Sequence, residues 1–250
     1  MKISVITLSL NSEKTIKKSI KSIIDQSYNN IEHIIIDGNS NDKTINIIKK
    51  FKKENIKIFF NKKKGIYNSL NLGIEKSTGD LITILNSDDI YNDNSYISNV
   101  ISKFKTSQID YLFSDVNYFD HNIDDITRYY KSPNNPKKMI KYGIIPAHTS
   151  LVIKKEVLNY VGMYNENFKI AGDFEFFLRL FNIKELNFTK IEGIYVYMKS
   201  GGISNRSIFS RILTHREILR AFKINNIPFS HILLFYRYIL KLREFFKIVN

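Results

Sequence analysis

Short apolar runs alternate with stretches of helical periodicity through the first 85 residues. Four of these runs predict buried strands, at residues 3–8, 31–36, 56–60 and 81–85. The segments between them repeat apolar residues at helical spacing, which predicts amphipathic helices. The repeating positions are Ile16, Ile20, Ile23 and Ile24 in the first helix and Ile45, Ile47, Ile48 and Phe51 in the second. A third helix is predicted over residues 67–76. This order predicts an α/β fold in which a parallel sheet carries helices on both faces.

The pattern changes after residue 110. Strands are predicted at 111–118, within 143–155 and at 191–198, and the polar segment 119–137 predicts a loop or hairpin. The segment 171–181, AGDFEFFLRLF, has the period of a helix that Asp173 could cap. Two further helices are predicted after residue 206, divided at 225–228.

Composition limits the chemistry that is available. The 250 residues contain no cysteine, which excludes disulfides, thiolate metal sites and thiol nucleophiles, so any metal must bind oxygen or imidazole. The net charge of +14 favours anionic partners such as phosphorylated ligands, lipid headgroups or nucleic acid. No apolar run approaches the roughly 20 residues of a membrane span. We interpret the opening MKISVITLSL as a first strand rather than a signal peptide.

The fourth predicted strand ends in NSDD (86–89), which places two carboxylates side by side. One interpretation is a divalent cation that binds a diphosphate, since Mg²⁺-like sites use one or two carboxylates. The other is a helix cap, with Asp89 or Asp93 beginning the next helix. For this short motif alone, the cap is the better interpretation.

Other polar clusters also follow predicted strands, where α/β sheets bind ligands. DGNSND (37–42) could hold a nucleoside or be an ordinary loop, and KKKG (62–65) could attract phosphate or be solvated. Asp173 and Glu175 could supply a general base or a helix cap. His148 could be a metal ligand, a hydrogen-bond donor to phosphate or a structural residue. GGIS (201–204) could be a flexible lid or a turn.

The order and spacing of these segments resemble a known family. They are SVITLSLNSEKTIKKSIKSIIDQSYNNIEHIIIDGNSNDKT, KGIYNSLNLGIEKSTGDLITILNSDDIY, PAHTSLVIKKEVL with GMYNENFKIAGDFEFFLRL, and GGIS. Together they cover roughly residues 2–204 and resemble the inverting glycosyltransferases of family 2. The resemblance implies the GT-A fold, a Rossmann-like mixed sheet flanked by helices, here with C-terminal helices added.

The resemblance also implies roles for individual residues. The nucleotide pocket would fall on Thr7, Ser9, Asn11, Asp37, Lys64 and Asp88. The metal-binding element would fall on Ser87-Asp88-Asp89, with Asp89 as the direct ligand of Mn²⁺ or Mg²⁺ and Asp88 beside the ribose or diphosphate. The catalytic base would fall on Asp173. Contacts with the acceptor or the diphosphate would fall on His148, Glu175, Gly201 and Gly202.

By this resemblance, the enzyme would move one hexose or N-acetylhexosamine from a UDP-sugar to a lipid-diphosphate-linked glycan. The setting would be bacterial surface polysaccharide synthesis, an O-antigen or capsule, in the cytoplasm at the inner face of the cytoplasmic membrane. Many relatives have two acidic residues where this chain has Asp37-Gly38, which leaves the base specificity open. The QxxRW element of processive members does not occur, which favours the transfer of one sugar.

Two regions are predicted, and two rival functions remain open. The catalytic domain would span 1–204, with a nucleotide half at about 1–116 and an acceptor half at about 117–204. The extension would span 205–250. From residue 206 onward it holds nine Lys and Arg against two Glu. Its helices could contact an anionic membrane, or they could pack on the catalytic domain and expose a charged face to solvent. The rivals are a sugar nucleotidyltransferase, although TLSLNSEK lacks the glycine-rich loop, and a nucleic-acid-binding protein, although no reading motif is present.

Overall fold

The computed structural model describes residues 1–51, 54–202 and 207–237. Nine strands form one sheet within these ranges: β1 (Ile3–Ser9), β2 (Ile31–Asp37), β3 (Ile56–Phe60), β4 (Leu81–Ile84), β5 (Ile90–Tyr91), β6 (Tyr111–Phe119), β7 (Ile126–Tyr130), β8 (Val152–Lys154) and β9 (Phe188–Lys199). The helices are α1 (Ile16–Ile24), α2 (Thr44–Ile48), α3 (Ile66–Lys76), α4 (Tyr96–Thr106), α5 (Pro136–Met139), α6 (Leu158–Val161), α7 (Gly172–Asn182) and α8 (Ile208–Ile224). Residues 231–237 are also helical.

The strand order is β3-β2-β1-β4-β8-β6-β9-β5, with β7 paired to β6. The first four strands in this order of pairing, β3, β2, β1 and β4, are mutually parallel. β8 runs antiparallel to both β4 and β6, and β6 runs parallel to β9. The sheet is therefore mixed, and the carboxyl ends of β1, β2 and β4 meet at one edge.

The predicted alternation of strand and helix is confirmed, because Ile-rich runs such as β2 are buried along their whole length. The second predicted helix is shorter than expected. α2 ends at Ile48, and Phe51 follows it outside the helix while still packing against the small core under α1 and α2. The polar segment 119–137 was predicted to be a loop or a hairpin, and its first part forms the hairpin of β6 and β7.

α8 lies within the predicted C-terminal extension, and it packs into the largest hydrophobic core. Ile218, Ala221 and Phe222 of α8 share that core with Phe174 and Phe177 of α7. The first turns of α8 are different, because Ile208, Phe209 and Ile212 are exposed. The predictions for residues 203–206 and 238–250, which include the last two residues of GGIS and the end of the basic extension, lie outside the described residues. Within the described ranges, every helix falls short of the length and apolarity that a bilayer crossing requires.

Candidate active site

Asp37 lies at the end of β2, opposite Ser9 at the end of β1. Its buried carboxylate accepts hydrogen bonds from Ser9 Oγ at 2.7 Å and from Ser40 N and Oγ, both at 2.7 Å. These bonds fix the carboxylate at the edge where the parallel strands end. Sequence reasoning predicted a ligand site at this edge.

The loop after β1 is tied to the loop after β2. Asn11 has a positive φ of 50°, a conformation that asparagine tolerates better than most residues. In this conformation its N–H donates to Ser40 Oγ, and its Oδ1 accepts from the N–H of Asn41. The two loops therefore form one surface.

The NSDD loop after β4 joins the same surface. Ser12 Oγ and Ser87 Oγ lie 2.8 Å apart, and Ser19 Oγ donates to the carbonyl oxygen of Asn86. The structure thus brings together the DGNSND and NSDD segments, whose convergence we inferred from the sequence.

Asp89 is buried, with 2% of its surface exposed. Its Oδ1 accepts from the N–H of Lys199 at 2.9 Å, and its Oδ2 accepts from Asn86 Nδ2 at 2.8 Å. Burial raises the pKa of Asp89 to about 7, and the neighbouring charge of Asp88 adds to this effect. Burial also raises the pKa of Asp88, against the opposing charge of Lys199.

The cap interpretation of this motif is wrong for Asp89. α4 begins at Tyr96, and it is Asp93 whose Oδ1 accepts from Ser95 N just before the helix. A paired, buried carboxylate whose ionised form is disfavoured gains most from a cation beside it. The oxygen donors of Asp88 and Asp89 suit Mg²⁺ or Mn²⁺, provided that phosphate and water complete the ligand set. The described ranges hold no group of three His, Asp or Glu side chains that could bind a metal alone.

Lys199 is a site residue that sequence reasoning missed. It is the last residue of β9, its backbone holds Asp89, and its charge acts on Asp88. A lysine two positions before Gly201-Gly202 was the available signal, and it is weak in a chain so rich in lysine.

Asp173 is the second residue of α7. The helix begins at Gly172 with Ala171 in the cap position, so the interpretation of Asp173 as the cap is wrong. Asp173 Oδ1 accepts from the N–H of Phe174 at 2.7 Å. The carboxylate therefore lies at the N-terminus of α7, where the helix dipole favours negative charge.

Tyr67 of α3 contacts the same helix start. Its hydroxyl donates to the carbonyl of Ile170 and accepts from the N–H groups of Gly172 at 2.7 Å and Asp173 at 3.3 Å. Burial raises the pKa of Tyr67, and the charge of Asp173 raises it further. The same two causes raise the pKa of Tyr164, whose ring stacks on Tyr67. Asp173 therefore lies within electrostatic range of two buried tyrosines that stay protonated near pH 7.

The glycosyl transferase family 2 profile matches residues 4–181, most of the chain. The chain belongs to glycosyl transferase family 2. This membership confirms the predicted family and enzyme class, and it decides against the nucleotidyltransferase and nucleic-acid-binding alternatives.

Curated relatives of this family 2 enzyme act on lipid-linked glycans. An Escherichia coli UDP-Glc:alpha-D-GlcNAc-diphosphoundecaprenol beta-1,3-glucosyltransferase, WfaP, is 29% identical over 89% of the chain and 87% of its own length. A Campylobacter jejuni GalNAc(5)-diNAcBac-PP-undecaprenol beta-1,3-glucosyltransferase is 35% identical over 35% of the chain. That match spans only 30% of the Campylobacter enzyme.

Solved structures confirm the GT-A fold of this family 2 enzyme. S. aureus TarS 1-349 in complex with UDP-GlcNAc has a TM-score of 0.72 at 18% identity, over 94% of the chain and 70% of TarS 1-349. The mannosyltransferase PcManGT from Pyrobaculum calidifontis, in complex with GDP-Man and Mn2+, has a TM-score of 0.67 at 13% identity. That alignment covers 100% of the chain and 70% of PcManGT.

Several residues predicted for the site of this family 2 enzyme have other partners. Thr7 is buried and bonded to His33 Nε2, and both carboxylate oxygens of Glu175 bond Arg179. His148 bonds the hydroxyl of Tyr164, and burial lowers the pKa of His148 to about 4, so its ring is neutral near pH 7. The structure therefore gives no support to a diphosphate contact through a charged His148, or to an acceptor contact at Glu175.

The remaining predicted residues line open surface. Lys64 is exposed just before α3, and Gly201 and Gly202 are exposed after β9. A Cβ added at either glycine would meet no atom within 4 Å, although Gly201 has a φ of 88° that favours glycine. Their roles stay predictions.

Proposed function

We propose that this family 2 enzyme is an inverting, metal-dependent transferase that moves a single hexose or N-acetylhexosamine. The donor is a UDP-sugar and the acceptor is a lipid-diphosphate-linked glycan of a bacterial surface polysaccharide, such as an O-antigen or capsule. The carrying observation is that the loops after β1, β2 and β4 are hydrogen-bonded together around Asp37, Asp88 and Asp89. The name of the Escherichia coli relative supports the donor class, and the names of the Escherichia coli and Campylobacter jejuni relatives both support the acceptor class.

Asp37 would bind the nucleoside. Ser9 and Ser40 hold its carboxylate at the edge of the sheet, and Asn11 shapes the adjoining loop. A fixed carboxylate can accept the imide N–H of uracil, so Asp37 is compatible with the proposed uridine donor. Lys64, exposed at the neighbouring loop, supplies positive charge for the diphosphate.

Asp89 and Asp88 would hold Mn²⁺ or Mg²⁺, with Asp89 as the direct ligand. Such a cation stabilises the negative charge of the departing nucleoside diphosphate. The chain prepares this position, because Lys199 N and Asn86 Nδ2 orient the Asp89 carboxylate before any ligand arrives. The Lys199 charge beside Asp88 adds to the positive field that a diphosphate requires.

Asp173 would act as the general base. The acceptor hydroxyl gives its proton to the Asp173 carboxylate as its oxygen bonds to the anomeric carbon. The bond from that carbon to the diphosphate oxygen breaks, and its electron pair leaves with UDP. One displacement inverts the anomeric centre, so an α-linked donor yields a β-glycoside.

The exposed start of α8 would contact the membrane that carries the acceptor. Ile208, Phe209 and Ile212 are exposed at 74%, 83% and 53%, and the exposed Arg211 lies among them. An apolar patch beside cations fits an anionic bilayer surface, where apolar side chains enter the interface and cations meet headgroups. This contact would place the enzyme at the inner face of the cytoplasmic membrane.

A donor screen tests the proposal. UDP-, GDP- and dTDP-sugars are each assayed for thermal stabilisation of the enzyme and for slow hydrolysis, with and without Mn²⁺. We expect a UDP-sugar to stabilise the enzyme only when Mn²⁺ is present. Equal responses with EDTA would contradict the metal dependence, and a response confined to GDP- or dTDP-sugars would contradict the uridine donor.

A further inference from the structure

Glu217 of α8 holds the loop that leads into Asp173. Its Oε1 accepts from the N–H of Lys169 at 2.8 Å, and its Oε2 accepts from the N–H groups of Ile170 at 2.9 Å and Ala171 at 2.8 Å. Only 5% of Glu217 is exposed. A buried carboxylate is costly unless it is bonded in this way, so its position is well determined.

Tyr67 takes the place of a local helix cap, while Glu217 satisfies the backbone donors just before the helix. α7 has Ala171 in the cap position, so no side chain there can accept from the first N–H groups. Glu217 takes the N–H groups of residues 169–171, and Tyr67 takes those of Gly172 and Asp173. Five consecutive backbone donors are therefore satisfied from α8 and α3.

The loop 169–173 has no freedom to shift without breaking these bonds. Breaking the bonds to Ala171 and Gly172 would leave buried N–H groups unpaired, which is unfavourable. The side chain of Asp173 follows the backbone of the loop, so Glu217 and Tyr67 together determine where that carboxylate lies.

We propose that Glu217 is a positioning residue for the transfer reaction, acting through the placement of Asp173. The inference rests on the proposed role of Asp173 as the base. It adds α8 to the catalytic apparatus, although Glu217 lies beyond the residues 4–181 that match the family profile.

The primary test variant is Glu217→Gln, which keeps the size of the side chain but turns an NH₂ group toward backbone donors. We expect kcat to fall about 10- to 100-fold, because small displacements of a catalytic group have effects of this size. The KM for the UDP-sugar should stay within about twofold, since the hydrogen bonds of Glu217 go to residues 169–171 and not to the donor loops. Glu217→Asp provides a second folded variant, with the carboxylate drawn back by one methylene, and the same split is expected.

The matched control is Glu32→Gln. Glu32 is also buried and accepts from a backbone N–H, that of Thr78 at 2.8 Å, and from Ser4 Oγ at 2.8 Å. It lies near the beginning of β2, at the end of the sheet away from Asp37. We expect Glu32→Gln to lower Tm while kcat at a temperature well below Tm is unchanged. If both variants lose kcat in proportion to Tm, Glu217 is a stability residue and the proposal is overturned.

A double-mutant cycle with Asp173→Asn separates this proposal from the proposed function. If Glu217 acts through Asp173, adding Glu217→Gln to Asp173→Asn should change kcat by less than about twofold. A full further loss in the double variant would overturn the positioning role while leaving Asp173 as the base. Wild-type turnover in Asp173→Asn alone would overturn the base assignment first, whatever Glu217→Gln does. Unchanged kcat in Glu217→Gln would overturn only the present proposal.

Discussion

The backbone N–H of Lys199 donates to Oδ1 of Asp89 across 2.9 Å, joining residues 110 positions apart in the chain. This bond fixes the end of β9 against the carboxylate pair that follows β4. The glycines at 201 and 202 therefore begin directly beside the proposed diphosphate position. Together with the pairing of β5 and β9, this bond connects the donor loop after β4 to the end of β9.

Asp89→Ala should abolish the Mn²⁺-dependent part of UDP binding, because it removes the proposed direct ligand of the cation. Isothermal titration of UDP with and without Mn²⁺ measures this effect. The matched control is Asp93→Asn, since Asp93 lies four residues later and its Oδ1 bonds Ser95 before α4. Asp93→Asn should bind UDP and Mn²⁺ as the wild type does. Equal Mn²⁺ dependence in Asp89→Ala would refute the metal assignment.

Asp173→Asn should lower kcat by about 10²- to 10⁴-fold, the usual contribution of a general base. Asparagine has the same shape and can still accept from the N–H of Phe174, so the helix start should be preserved. The Kd for UDP, measured by thermal shift, should remain within about twofold of the wild-type value. A variant that turns over normally would show that the acceptor proton goes elsewhere.

Tyr67→Phe should destabilise the protein by about 1–3 kcal/mol, because it strips a partner from the N–H groups of Gly172 and Asp173. Chemical denaturation measures the change. Tyr111→Phe is the matched control, since its buried hydroxyl has no hydrogen-bond partner within the described part of the chain. Removal of the Tyr111 hydroxyl should leave the free energy of unfolding unchanged or higher. Equal destabilisation by the two substitutions would mean that the Tyr67 bonds contribute nothing specific.

His33 should make the protein less stable in mild acid. Burial lowers the pKa of His33 to about 3, against an unfolded value of 6.5, so only the unfolded chain takes up this proton between these values. The contribution to stability is complete above pH 6.5 and is lost as the pH falls. Between pH 7.5 and pH 5 the loss is about 2 kcal/mol.

The His33→Gln variant separates the contribution of His33 from that of the buried carboxylates, because those carboxylates respond to pH in the wild type and in the variant alike. Gln can still bond Thr7 Oγ1 but has no proton to gain. From pH 7.5 to pH 5, the free energy of unfolding of the wild type should fall by about 2 kcal/mol more than that of the variant. A pH-independent difference would show that His33 does not remain neutral in the folded protein.

Phe209→Ser combined with Ile212→Ser should weaken sedimentation with anionic phospholipid vesicles by at least about tenfold, because both side chains lie in the exposed patch of α8. Turnover of a soluble acceptor analogue should not change. Tyr160→Ser removes another exposed aromatic residue, 75% accessible, and serves as the control. Vesicle binding that is insensitive to the double substitution would place any membrane contact elsewhere.

Local sequence patterns predicted much of the fold, because strands such as β1 and β2 are rich in Ile and other apolar residues and α1 has a clear period. The meeting of the DGNSND and NSDD loops was also predictable, since parallel strands end at one edge. The short α2 was not, because Phe51 continues the apolar spacing while the chain has already left the helix.

The support of Asp173 could not be predicted from the sequence. Glu217 stands in a helix among arginines, and its spacing does not distinguish it from a solvated acid. Tyr67 similarly resembles an ordinary core aromatic of α3. Their importance comes from the backbone donors of residues 169–173, which only the folded chain brings to them. Lys199 is hidden for the same reason, since its contact with Asp89 depends on the pairing of β5 with β9.

The bond between Glu217 and Ala171 also sets an order of events during synthesis, because Glu217 is added 46 residues after its partner. At bacterial elongation rates of about 5–20 residues per second, the ribosome needs a few seconds for this interval. During that time the nascent chain already contains the complete nucleotide-binding loops, while the segment before Asp173 has no acceptor for three of its N–H groups. The segment that leads into Asp173 would therefore reach its final position only after α8 has been synthesised.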